Sequence, residues 1–164
     1  GGRNMKRVGL VRTLKGTILF LAAMTAFFYI VVFPQRILLL EEPGRLNYDA
    51  SWLVTPGLIA FSLSAIPIAI ALVLFWQICT EIGRDNSFCH KNASRLSGIG
   101  FCALIDTGYC AVGTVTIEIL VGSPIWVTGL MVCTVGLAIA LAAFLLSHLV
   151  LKAADMKSEN DLTI

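Results

Sequence analysis

Four apolar runs, at about 16–39, 53–78, 99–121 and 125–151, decide what this chain can become. Each reaches the roughly 20 residues that a helix needs to cross about 30 Å of hydrocarbon. Backbone amides in lipid find no water, so a spanning segment is either a helix, bonded within itself, or a strand of a closed barrel. The alternating ten-residue pattern of barrel strands is missing. The runs therefore predict an all-α integral membrane fold, a four-helix transmembrane bundle. Composition agrees: 57% of residues are hydrophobic and 13% charged, and the mean hydropathy of +0.86 lies outside the range of soluble domains.

An even number of spans puts both ends of the chain on one side of the bilayer. Lys6, Arg7, Arg12 and Lys15 precede the first run, Arg84, Lys91 and Arg95 separate the second from the third, and Lys152 and Lys157 follow the fourth. Arg36 and Arg45 fall on the opposite side, near Glu41, Glu42 and Asp49. Basic residues collect on the cytoplasmic side, which predicts cytoplasmic N and C termini. Residues 1–4, ahead of Met5, read as the scar of a cleaved tag. The first run is too long for a signal peptide and lacks a small-residue cleavage site. Residues 5–151 then form the transmembrane domain and 152–164 a cytoplasmic tail.

Within the runs, Pro34 and Pro67 each remove a helical hydrogen bond and are expected to bend their helices. Ser62 and Ser64 are candidate donors to the carbonyl that Pro67 leaves free. Gly122, Ser123 and Pro124 predict a tight turn that makes the last two spans an antiparallel hairpin. Trp52, Trp76 and Trp126 fall near predicted span ends, where indoles favour the interface. Gly100, Ala103, Gly108, Gly113, Gly129, Gly136, Ala140 and Ala143 crowd the last two spans. Small residues let helices approach closely in lipid, which serves either packing within the bundle or the contact face of a homo-oligomer.

Ionisable groups inside a membrane are costly and so are functional candidates, and here they are Asp106, Glu118 and His148. Counted from the inner ends of their spans, Asp106 and His148 fall at similar depth. A carboxylate–imidazole pair is expected across the hairpin, serving as a polar clasp or as a proton-responsive relay. Glu118 meets Arg36 or Arg45 at the outer surface, or faces water.

The inner loop, Glu81 to Gly100, is the most organised polar stretch. Gly83 is expected to end the second span in a left-handed conformation, with Asn86 or Ser87 capping a new helix near Phe88. Phe88, Asn92, Arg95, Leu96 and Ile99 then recur at three- and four-residue intervals, predicting a short inner interfacial helix. The five cysteines, Cys79, Cys89, Cys102, Cys110 and Cys133, include no C-x-x-C pair, and four lie in or beside apolar runs, where Cys acts as a small hydrophobe. The adjacent Cys89 and His90 have no further ligands at metal spacing. No phosphate-cradling loop, no nucleophile with a placed base and no nucleic-acid motif is present. The expectation is a protein with no metal or cofactor that is neither an enzyme nor a direct nucleic-acid binder.

The loop G-R-D-N-S-F-C-H-K-N-A-S-R-L-S-G-I-G and the terminus L-K-A-A-D-M-K-S-E-N-D-L-T-I carry a resemblance. Together they resemble the bacterial membrane family catalogued as domain of unknown function 2975, over nearly the whole chain. The family looks to share a G-x-x-F-x-x-x-N-x-x-x-L-x-x-I-G-like loop, matched by Phe88, Asn92, Leu96, Ile99 and Gly100. It also looks to share an E-x-D-L-T-I-like end, matched by Glu159, Asp161, Leu162, Thr163 and Ile164. Ser87 stands where the family often looks to have proline. The resemblance implies a bacterial cytoplasmic-membrane protein, and such proteins are often encoded beside a small helix-turn-helix regulator. That neighbour makes the tail a candidate linear ligand, with Glu159 and Asp161 for steering and Leu162 and Ile164 for pockets. Extended D-L-T-I would add to a partner's sheet edge, or dock on the protein's own loop. Phe88, Asn92, Arg95 and Leu96 complete the expected binding surface. A small-solute or proton-coupled transporter working through Asp106 is the alternative from a different class.

Overall fold

The computed structural model describes residues 2–38, 52, 54–121 and 125–163. Helix α1 (Gly2–Phe27) passes through one π-helical turn (Phe28–Val32) into α2 (Phe33–Leu38). Three long helices follow, α3 (Val54–Gly83), α4 (His90–Val121) and α5 (Trp126–Leu162). The apolar runs thus become four long helical segments, Val8–Gln35, Thr55–Gly83, His90–Leu120 and Trp126–Leu162, each able to cross a membrane by length and composition. Large apolar side chains point outward along them, among them Ile30, Val112, Ile119 and Met131. Outward-facing bulk is the arrangement that lipid requires and water penalises.

Both prolines are absorbed without a break. Pro34 lacks an N–H for the Ile30 carbonyl, and its ring would collide with that carbonyl in a regular α-helix. The π turn ends at Val32, two residues before it, and the Phe33 N–H donates to the Phe28 carbonyl, which widens the helix. At Pro67, α3 simply continues. The expected serine rescue does not form. Ser62 Oγ donates to the Leu58 carbonyl at 2.7 Å and Ser64 Oγ to the Phe61 carbonyl at 2.7 Å, so both hydroxyls bond toward the preceding turn.

The helices pack antiparallel in chain order. Val11 lies beside Gly83, Lys15 Nζ sits 4.7 Å over the Trp76 ring, and Phe33 stacks on Phe61 with ring centroids 3.5 Å apart. The α3–α4 seam places Leu74 on Gly98 and lets Tyr109 Oη donate to the Ala60 carbonyl. Ile78, Ile99 and Ala143 form a small core near the loop end, with Ala71, Leu74, Ile82 and Leu96 packed against it.

The α4–α5 hairpin is the most intimate pair. Ala93, Gly100, Thr107 and Thr114 recur every seven residues on α4, as do Gly129, Gly136 and Ala143 on α5. A seven-residue repeat keeps one face of each helix on the seam. A Cβ added to Gly136 would overlap Thr107 Oγ1, and one added to Gly129 would overlap Thr114. Ser147 Oγ donates to the Ala93 carbonyl at 2.6 Å, and Phe101 meets Phe144 edge-on at 5.2 Å. Gly129, Gly136, Ala140 and Ala143 are therefore occupied inside the hairpin. The predicted Gly122–Ser123–Pro124 turn lies outside the described residues.

Candidate functional site

The α3–α4 loop is built by two interlocking helix ends. The Asn86 N–H donates to the Glu81 carbonyl at 3.0 Å and the Asp85 N–H to the Ile82 carbonyl at 3.2 Å, the paired bonds of a Schellman ending. The left-handed residue is Asp85, at φ 63°, and not Gly83 as expected. Gly83 is still helical; the turn falls two residues later, where a short polar side chain tolerates this backbone better than most.

The expected caps Asn86 and Ser87 act through their carbonyls. Asn92, in the first turn of α4, reaches back and donates from Nδ2 to the Asn86 and Ser87 carbonyls at 3.3 and 3.0 Å. Its Oδ1 accepts from Arg95 Nη1 at 3.1 Å. Arg95 lies 3.9 Å from Glu81, which also pairs with Arg84 at 3.6 Å and accepts from Asn86 Nδ2 at 3.5 Å. One carboxylate thus ties both helix ends together. The separate interfacial helix does not form: with Asn92 closing the loop, the helix starts at His90 and runs unbroken to Val121.

This geometry divides the expected loop surface. Asn92 is 1% exposed with its hydrogen bonds spent internally, and Leu96 packs on the Ile78–Ile99–Ala143 core. Phe88 is exposed at the loop tip. Gly100 has a packing reason, since a Cβ there would stand 3.0 Å from the Phe144 ring. Much of the loop motif is therefore a record of helix packing.

The tail differs from expectation. Residues 152–162 continue α5, so Asp161 and Leu162 are helical and not an extended strand, and Thr163 caps the helix end. Lys152 to Leu162 contains no glycine or proline to stop the helix. Ala154 is buried, and Asp155 Oδ1 lies 3.5 Å from His90 Nε2, linking the arm to the start of α4. Beyond it, Glu159, Asp161, Leu162 and Thr163 are exposed, Leu162 by 87%. Thr163 Oγ1 donates to the Glu159 and Asn160 carbonyls at 2.9 and 3.0 Å and closes the last turn. Ile164 lies outside the described residues.

A second polar group lies within the spans. Asp106 Oδ1 is enclosed without a hydrogen-bond partner among the described residues. Tyr29, from the π turn, and Cys110, one turn along α4, stand within its electrostatic reach. Tyr29 Oη lies 2.6 Å from Ser64 Oγ, whose own hydrogen goes to Phe61, so Tyr29 donates to Ser64. The expected Asp106–His148 pair is not made. The seam places Thr107 against Gly136, so Asp106 is level with Leu137, and His148 lies about 16 Å further along α5 at 1.5 Å per residue. The two residues differ in level because α4 begins well before its apolar run and α5 ends well after its own. His148 is exposed and Glu118 half-buried; the Arg36 side chain and Arg45, its expected partners, lie outside the described residues.

Four antiparallel apolar helices, a polar clasp at one end and outward-facing hydrophobic bulk define a multi-pass helical membrane protein. The chain belongs to the family described as protein of unknown function (DUF2975), whose profile matches residues 38–164. It is 31% identical over 106 residues to the uncharacterized membrane protein YoaS of Bacillus subtilis (strain 168), covering 62% of this chain and 66% of that protein. The chain thus spans just under two thirds of that relative's length. No solved structure matches it.

Proposed function

We propose that this protein is a membrane-bound docking platform that holds a cytosolic helix-turn-helix regulator by the exposed arm of α5. The observation that carries the reading is the continuity of α5, 37 residues from Trp126 to Leu162, ending in an arm with exposed Met156 and Leu162 beside Glu159 and Asp161. A helix already formed before binding spares the complex the cost of ordering it. Exposed apolar side chains on such a helix suit a groove, and the acidic pair suits a basic partner surface. The reading takes the arm and Phe88 as the contact surface on the cytoplasmic side, and requires no chemistry and no direct nucleic-acid contact. Crosslinked copurification from native membranes, comparing the intact chain with one cut after Met156, tests it. Capture of a helix-turn-helix regulator by the intact chain alone is the expected result; equal capture by both forms overturns the reading.

Asp106 Oδ1, without a partner among the described residues, favours one second reading, a small-solute or proton-coupled transporter in which Asp106 meets the solute. Under that reading Asp106→Asn abolishes flux while leaving the helical fold intact. Unchanged flux across every solute that the parent protein moves ends it.

A further inference from the structure

The α4–α5 seam carries two thiols that neither reading uses. Thr107 on Gly136 and Thr114 on Gly129 are layers of near-backbone contact. Between them, by the same antiparallel register, Cys110 of α4 stands level with Cys133 of α5. Cys133 Sγ lies 3.8 Å from the carbonyl of Thr107, one turn before Cys110. Both thiols are free. A disulfide needs Cα atoms about 4.4–6.8 Å apart. Packed helices come that close where small residues let their backbones approach, as happens in the layers on either side of this pair.

We propose that Cys110 and Cys133 are a redox pair, oxidised within the membrane to a disulfide that locks α4 to α5. As the sulfur–sulfur bond forms, the two thiols lose two protons and two electrons. Both sites lie inside spanning segments, away from water-soluble oxidants, so the acceptor is a lipid-soluble quinone, which takes up both protons and both electrons to become the hydroquinone. The site is independent of what the arm binds. C-x-x-C spacing does not mark it, because its two members are brought together by a seven-residue repeat running in opposite directions on two helices.

The test uses the full chain in lipid nanodiscs, with Cys79→Ala, Cys89→Ala and Cys102→Ala leaving this pair alone. Decyl-benzoquinone is the oxidant and diamide the control that needs only proximity. After denaturation, a polyethylene-glycol maleimide reports free thiols by gel shift. The expected result is loss of both adducts with either oxidant, a monomer on a non-reducing gel, and full recovery with dithiothreitol. Persistence of both adducts after both oxidants overturns the pair. Closure by diamide alone overturns the quinone as acceptor, and a crosslinked dimer overturns the assignment within one hairpin. If the triple variant is poorly folded, chymotryptic mapping of the oxidised parent chain decides the matter: Cys110 joined to Cys133 supports the proposal, and any other pairing overturns it.

Discussion

Asn92 does more than any other single side chain to shape the loop, because it donates twice to carbonyls of the segment it follows and accepts once from Arg95. Replacing it leaves those half-buried carbonyls without their donor, a loss of about 1 kcal/mol. Asn92→Ala is expected to lower the temperature at which the detergent-solubilised protein stays monodisperse, and Asn92→Asp, which keeps the Arg95 bond but turns an acceptor oxygen on both carbonyls, to lower it at least as much. Asp106 sits at the other extreme, its Oδ1 a buried acceptor without a donor among the described residues. Filling its place with an apolar side chain of similar volume removes that burden, so Asp106→Leu is expected to raise the same temperature, as for a residue retained at a cost in stability. A fall would show that Asp106 has a stabilising partner. At this scale the sequence was a partial guide. Asn92 and Asp106 stood out as polar residues in the right places, but their roles depend on what faces them, and no spacing within one helix shows that.

At the scale of helices, the number and type of element were written in the apolar runs, since a bilayer permits so few ways to satisfy a backbone. Helix ends were less legible. The interfacial helix merged into α4 because Asn92 closes the loop within one turn, and the tail became helical because nothing in Lys152 to Leu162 stops it. The hairpin register was readable in principle from the small residues at seven-residue spacing, and with it the levels of Asp106 and His148. That register makes a paired prediction. Gly136→Ala drives a methyl into Thr107 and is expected to cost about 1–3 kcal/mol, the usual penalty for overpacking. Adding Thr107→Ala vacates the space, and the double variant is expected to recover most of the loss in thermal unfolding. Failure of that rescue would mean that the glycine serves something other than this contact.

For the whole molecule, sidedness is the first expectation to test. The charge pattern predicts that both termini and the α3–α4 loop face the cytoplasm. Cysteines introduced as Lys6→Cys and Ser158→Cys are expected to react with an impermeant maleimide in inverted vesicles and to be protected in right-side-out ones. Opposite protection of the two would break the four-span topology, and reversed protection of both would break the orientation. One feature of the molecule has mechanical weight. A helix of 37 residues is about 55 Å long, well beyond the roughly 30 Å of hydrocarbon it has to cross. Because α5 passes from lipid to water without a hinge, its two parts tilt as one lever. When the bilayer thins, a spanning helix leans to keep its apolar length covered. A lean of about 10° would swing a tip about 17 Å past Leu151 by about 3 Å. Membrane thickness, which no soluble protein can feel, thereby becomes a displacement on the water side.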